Sequence, residues 1–116
     1  MAMDLPTLRK LVALDPQDPL SRFALGKKLY ETATGPDLPD NADAMLREAA
    51  EHLAFANAGA PEHLATYNIL GRALIKLGRT DDARRVLEEG IRRTADIREG
   101  MGRDLGPAMR ELLESL

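Results

Sequence analysis

The chain has 116 residues, enough for one domain that buries roughly two-thirds of its unfolded surface, and a formal net charge of −3 that recommends neither nucleic acid nor anionic lipid as a partner. Leu and Ala supply 36 residues against 6 for Val and Ile together, which favours helices and starves a sheet. The lack of cysteine excludes a disulfide framework, a thiol nucleophile and cysteine-held zinc.

The first residues, MAMDLPTLRKL, place acid before base, and the apolar run from Leu11 to Leu14 is too short for a signal peptide or a membrane span. A cytoplasmic protein without a membrane partner is expected. Turn chemistry then divides the chain into six helices. The first runs from about Pro6 to Leu14, with Leu5, Leu8, Leu11 and Val12 as its apolar stripe, and stops at Asp15-Pro16. Asp18-Pro19 is an N-cap followed by a proline in the first helical position, opening a second helix that ends near Ala33 before Gly35-Pro36. A third begins after Asp40 or Asn41 and reaches Asn57 or Ala58. Pro61 opens the fourth, whose Tyr67, Leu70, Leu74 and Leu77 recur at helical spacing up to Gly78.

Thr80 is placed to cap a fifth helix with Asp81 and Asp82 in its first turn and a buried stripe of Ala83, Val86, Leu87, Gly90, Ile91 and Ala95. Its other side reads as a solvated face, pairing Arg84 with Glu88, Arg85 with Glu89, Glu88 with Arg92 and Glu89 with Arg93 at i,i+4. Gly100-Met101-Gly102 reads as a loop that ends it. A sixth helix follows from about Asp104, with Pro107 in its first turn and Leu105, Met109, Leu112 and Leu116 on one face.

Self-similarity is the most informative pattern. Ala49, Leu53 and Pro61 recur 34 residues later as Ala83, Leu87 and Ala95, while Leu25-Gly26-x2-Leu29 recurs as Leu70-Gly71-x2-Leu74 at an offset of 45. The first copy therefore carries 11 extra residues near Thr32 to Ala42. Glycine inside a helix costs about 1 kcal/mol relative to Ala, so Gly26 and Gly71 are sensible where helices approach closely.

These spacings resemble the tetratricopeptide repeat, most closely in Tyr67, Leu70-Gly71, Leu74, Leu77-Gly78-Arg79, Ala83 and Leu87. The first copy keeps Phe23, Leu25-Gly26, Leu29, Ala49, Leu53, Ala56 and Pro61 but has Arg22 at the first aromatic position. The resemblance is to small bacterial-type members and implies an all-α, right-handed helix-turn-helix stack. As one domain of residues 1–116 it would comprise a capping helix (1–15), a first repeat (19–61) with an insertion near 32–42, a second repeat (62–97) and a second capping helix (103–116).

The resemblance also implies a protein-interaction module without catalysis or cofactor, its concave groove lined by residues 19–33 and 62–77 and accepting a peptide or helix of a protein partner. Outside the core stripes those helices carry Phe23, Lys27 and Tyr30, and, 45 residues on, Asn68, Arg72 and Ile75. Repeat symmetry places the two sets side by side as a mixed face that suits an acidic or carboxylate-ended segment. The competing expectation is that Phe23 turns inward to replace the aromatic missing at Arg22. An alternative function is a structural homo-oligomer built through the terminal helices, on Leu5 and Leu11 or Leu113 and Leu116.

Catalysis and metal binding find little support. Ser21 and Ser115 have no histidine near them in sequence. Glu48, Glu51 and His52 have a spacing compatible with a metal but read as a polar helix face, His63 as a capping or solvent-exposed residue, and the acidic turn from Gly35 to Asp40, with Leu38 at its centre, as a solvated linker.

Overall fold

In the computed structural model, which describes residues 3–97 and 100–116, six helices are present and no described residue lies in a strand. They are α1 (Leu5–Leu14), α2 (Pro19–Ala33), α3 (Ala42–Gly59), α4 (Ala65–Lys76), α5 (Thr80–Thr94) and α6 (Gly100–Glu114). The all-α class follows directly. Asp18 caps α2 as its sequence demands: its carboxylate accepts from the Leu20 N–H at 3.1 Å and from the Ser21 hydroxyl at 2.7 Å. Those bonds, the Ser21 hydroxyl first, hold the Asp18 carboxyl below its ordinary value. Asp18→Ala should accordingly lower the melting temperature by a few degrees, a loss that narrows as the pH falls below about 3.8, where the unfolded chain's aspartate takes up its proton.

The chain forms two compact units, residues 1–60 and 61–116. In the first, α2 packs on both α1 and α3. Leu8, Leu25, Leu29, Ala33, Met45, Leu46, Ala49, Ala50, Leu53 and Ala56 are buried. A Cβ added at Gly26 would stand 2.8 Å from Leu53 Cγ and 3.2 Å from the Ala49 carbonyl oxygen, so a bare backbone is what lets α2 meet α3 this closely. In the second unit α4, α5 and α6 pack on one another around Tyr67, Leu87 and Met109. The Gly26 arrangement repeats there, because a Cβ at Gly71 would lie 2.5 Å from Leu87 Cδ2.

The 11 extra residues of the first copy distribute over three places: two lengthen the end of α2, five the connection and four the start of α3. The connection between Thr34 and Asn41 is mostly exposed, with Leu38 at 68%.

Several boundaries differ from expectation. Pro61 begins a turn and α4 starts at Ala65, with the Thr66 N–H bonded to the His63 carbonyl and the Tyr67 N–H to that of Leu64. Arg79, not Thr80, occupies the cap position of α5. Gly78 ends the preceding helix with φ +75°, and the Arg79 and Gly78 N–H groups close back on the Leu74 and Ile75 carbonyls, so the chain re-enters a helix one residue early. Thr94 is buried and its hydroxyl donates to the Ile91 carbonyl, whereas Ala95 is exposed beyond the helix end.

Glycines 100 and 102 do not end a helix. They lie in the first turn of α6, and Pro107 falls mid-helix rather than in that turn. The packing of Leu105, Leu112 and buried Met109 against α4 and α5 outweighs those unfavourable propensities.

Candidate functional site

Phe23 and Lys27 are brought together in the first unit. With Met3, Leu8, Ala24, Lys28 and Glu31 they line a hollow of about 310 Å³ between the start of α1 and the middle of α2. The lining combines apolar Met3, Leu8, Phe23 and Ala24 with the charged Lys27, Lys28 and Glu31. Lys27 is exposed and has no carboxylate partner among the described residues. Tyr30 is half-buried and lies outside this lining, its carbonyl accepting from the Thr34 N–H and hydroxyl. The contribution of α1 was not read from the sequence. The signal that points to it is Met3-x4-Leu8, two large apolar residues on a segment assigned only to capping.

Phe23 does not replace the missing aromatic. Arg22 itself fills that place: its guanidinium lies 4.3 Å from the centre of the Phe55 ring, and its Nε donates to the Pro16 carbonyl at 3.0 Å. Tyr67, its equivalent in the second repeat, donates its hydroxyl to the Pro61 carbonyl at 2.7 Å. Both bonds span six residues and end on a proline, so a cation and a phenol perform the same local closure. Phe23 is thereby left half-buried at the hollow.

In the second unit Asn68 and Arg72 are half-buried on α4. The Asn68 Oδ1 is enclosed without a hydrogen-bond partner, and Arg72 has no carboxylate partner among the described residues. Ile75 does not present itself beside them as expected, because it packs against the Tyr67, Leu87 and Met109 cluster. Leu113 and Leu116 pack against the same cluster, and Leu5 and Leu11 are half-buried, which removes most of the apolar surface on which assembly through the terminal helices rested.

Glu48 is a well-satisfied carboxylate. Arg9 donates to its two oxygens at 2.5 and 3.1 Å, and His52 Nε2 lies 3.2 Å away. His52 Nδ1 in turn faces an Arg22 nitrogen at 3.4 Å. These partners make the Glu48–His52 pair part of an arginine-bridged link between α1, α2 and α3 rather than a ligand set. His63 sits in the turn before α4, its Nδ1 2.8 Å from the hydroxyl of buried Thr66.

The Arg9 hydrogen bonds, helped by His52 and opposed by burial, hold the Glu48 carboxyl below its ordinary 4.5. A depressed folded value means stability that is present above about pH 4.5 and lost as the pH falls through that folded value. Glu48→Gln should therefore lower the melting temperature at pH 7 and leave a smaller drop between pH 7 and pH 3 than the parent shows, measured by circular dichroism.

On α5, Glu89 and Arg93 form the expected pair at 2.8 Å, while Arg85 and Arg92 pair instead with the acid three residues before, Asp82 and Glu89. Arg79 also reaches Asp82, at 2.9 Å. The expected Arg84–Glu88 pair is not formed among the described residues, so this side of α5 is neutralised in part by its own acids.

Residues 40–99, just over half the chain, match the family model described as tetratricopeptide repeat. The chain belongs to the tetratricopeptide-repeat family. The match spans α3, α4 and α5, which carry the Gly71–Leu87 contact and the Gly78 turn. Tetratricopeptide repeats are generally protein–protein interaction modules and are typically non-catalytic. No curated protein and no solved structure matches the chain significantly. Among the described residues no helix is long and apolar enough to cross a membrane.

Proposed function

We propose that this tetratricopeptide-repeat protein is an adaptor without catalysis, docking an acidic segment of a protein partner in the hollow beside α2, with the α4 face of the second unit as a contact surface of its own. The observation that carries this reading is the hollow beside α2, where apolar side chains meet Lys27, which forms no ion pair among the described residues although Glu31 shares the lining. An apolar anchor with charge at its edge is the usual chemistry of a peptide site: burial supplies the affinity and the cation selects the sign of the neighbouring residues. Arg72, and the polar edge of Asn68, offer the second unit's own contact for a carboxylate. Ile75 and Tyr30 belong to this proposal as flanking residues, Ile75 by the portion of its side chain left outside the core. Arg85, Arg92 and Arg93 of α5, each paired with an acid of the same helix, have no such unanswered charge.

A photo-crosslinking amino acid placed at Glu31, which is exposed and lines the hollow, should yield a discrete adduct with another protein in the native cell, and the same group at Arg84 should not. Adducts from Arg84 alone would place the interaction on the other side and sink the assignment.

A further inference from the structure

The acidic turn between α2 and α3 is absorbed by none of the foregoing. Leu38 is 68% exposed at its tip, with Asp37 before it, Asp40 beyond it and Pro36 and Pro39 on either side. An isolated exposed leucine is ordinary. This one is held between two prolines whose fixed φ reduces the freedom lost on docking, and it is bracketed by two carboxylates. The hollow on α1 and α2 has the complementary character: four apolar side chains, two lysines against the single carboxylate of Glu31, and a volume of about 310 Å³ that admits a leucine side chain with its flanking backbone. Leu38 does not line the hollow of its own chain.

We propose that the protein associates with itself head to tail, the Asp37–Leu38–Pro39–Asp40 turn of one copy seating in the α1–α2 hollow of the next. This rests on the reading of the hollow as a docking site and names a second copy as its occupant. Leu38 meets Met3, Leu8 and Phe23, and Asp37 and Asp40 meet Lys27 and Lys28. Turn and hollow are different surfaces, so the contact is heterologous: each copy is donor and acceptor, and assembly continues into chains or a ring instead of stopping at a two-fold dimer. Both surfaces lie within residues 1–60. One leucine and two charges make a small contact, so association is weak and salt-sensitive.

The test is sedimentation equilibrium of the full chain at low salt from about 1 μM to about 1 mM, the span over which weak contacts show themselves. The average mass of the parent should rise with concentration and fall back when salt is raised. Leu38→Asp should stay monomeric, as should the double variant Lys27→Glu, Lys28→Glu. An equimolar mixture of the two variants is the decisive sample. Each retains the surface the other lacks, so the mixture should reach twice the monomer mass and go no further. Recovery of association in the mixture also shows that both variants are folded.

A parent mass flat across the range overturns the proposal, and so does a mixture that stays monomeric. If Leu38→Asp associates like the parent while the lysine variant does not, the turn is not the occupant and the hollow keeps its role as a docking site. If the lysine variant associates like the parent while Leu38→Asp does not, the turn seats elsewhere and self-docking in the hollow is wrong.

Discussion

Leu87→Ala is expected to destabilise the second unit by about 3 kcal/mol, within the roughly 2 to 5 kcal/mol usual for truncating a buried leucine. Leu87 is fully buried, and its two methyl carbons and Cγ fill the space over Gly71. Gly71→Ala should also be unfavourable. Its Cβ would meet Leu87 Cδ2 at 2.5 Å and Cγ at 2.9 Å, and overpacking of about 1 to 3 kcal/mol exceeds or cancels the gain of about 1 kcal/mol from helix propensity. The two changes together should cost clearly less than their sum, because the new methyl enters the space that the shortened side chain vacates. A coupling of about 1 kcal/mol or more in a denaturant double-mutant cycle is the expected reading. Strict additivity would mean that Gly71 and Leu87 are not the packing unit of the repeat. Gly90→Ala supplies the contrast, since its Cβ would stand 2.7 Å from Tyr67 Cβ, an atom fixed to the α4 backbone that cannot swing aside.

The same pair explains why the fold was legible in the sequence. Small residues at Gly26, Ala49, Gly71 and Ala83 alternate with leucines at the spacing that two close-packed helices require, and nothing outside the local pattern overrides them. Helix starts were legible where the cap residue is of a capping type: Asp18 before α2, which makes the capping bond, and Asn41 before α3, which does not. Arg79 and Leu64 occupy the other cap positions, so residue-type preferences pointed to Thr80 and Pro61 instead. The repeat held a better guide: Pro19, first in α2, corresponds by the 45-residue offset to Leu64, one residue before α4 begins. Pro61 corresponds to Pro16, a residue before the helix whose carbonyl closes the turn.

The candidate site was legible in part for a related reason. Phe23 and Lys27 could be placed on one face of α2 from spacing alone, but the other wall of the hollow comes from Met3 and Leu8 on α1, and a contact between separate helices leaves no mark in the period of either. Ile75 shows the converse. Spacing put it beside Arg72, while the core around Met109, supplied by a helix far along the chain, drew it in. Arg22 looked like a defect in the motif until Phe55 and Pro16 supplied a ring face and a carbonyl for its guanidinium.

Reversal of Lys27 or of Arg72 to glutamate should each weaken an acidic partner's binding by tenfold or more, since a charge-assisted contact contributes about 1.5 to 3 kcal/mol and reversal adds repulsion to its loss. Lys27 is exposed and Arg72 half-buried, and neither belongs to the buried stripes of Leu25, Leu29, Leu70 and Leu74, so the melting temperature should move little. Raising the salt should weaken the parent complex and have less effect on each variant, one charge pair having been removed. The control is Arg84→Glu with Arg92→Glu on α5, which changes net charge by as much as the two test reversals together but leaves the hollow and α4 untouched. Long-range attraction alone would make the control as damaging as the test variants; a local contact makes it nearly silent. Titration calorimetry with the crosslinked partner's segment separates the two. If the α5 pair abolishes binding and Lys27 and Arg72 prove dispensable, the partner rides on the solvated side of α5 and the α2 and α4 faces are surface like any other.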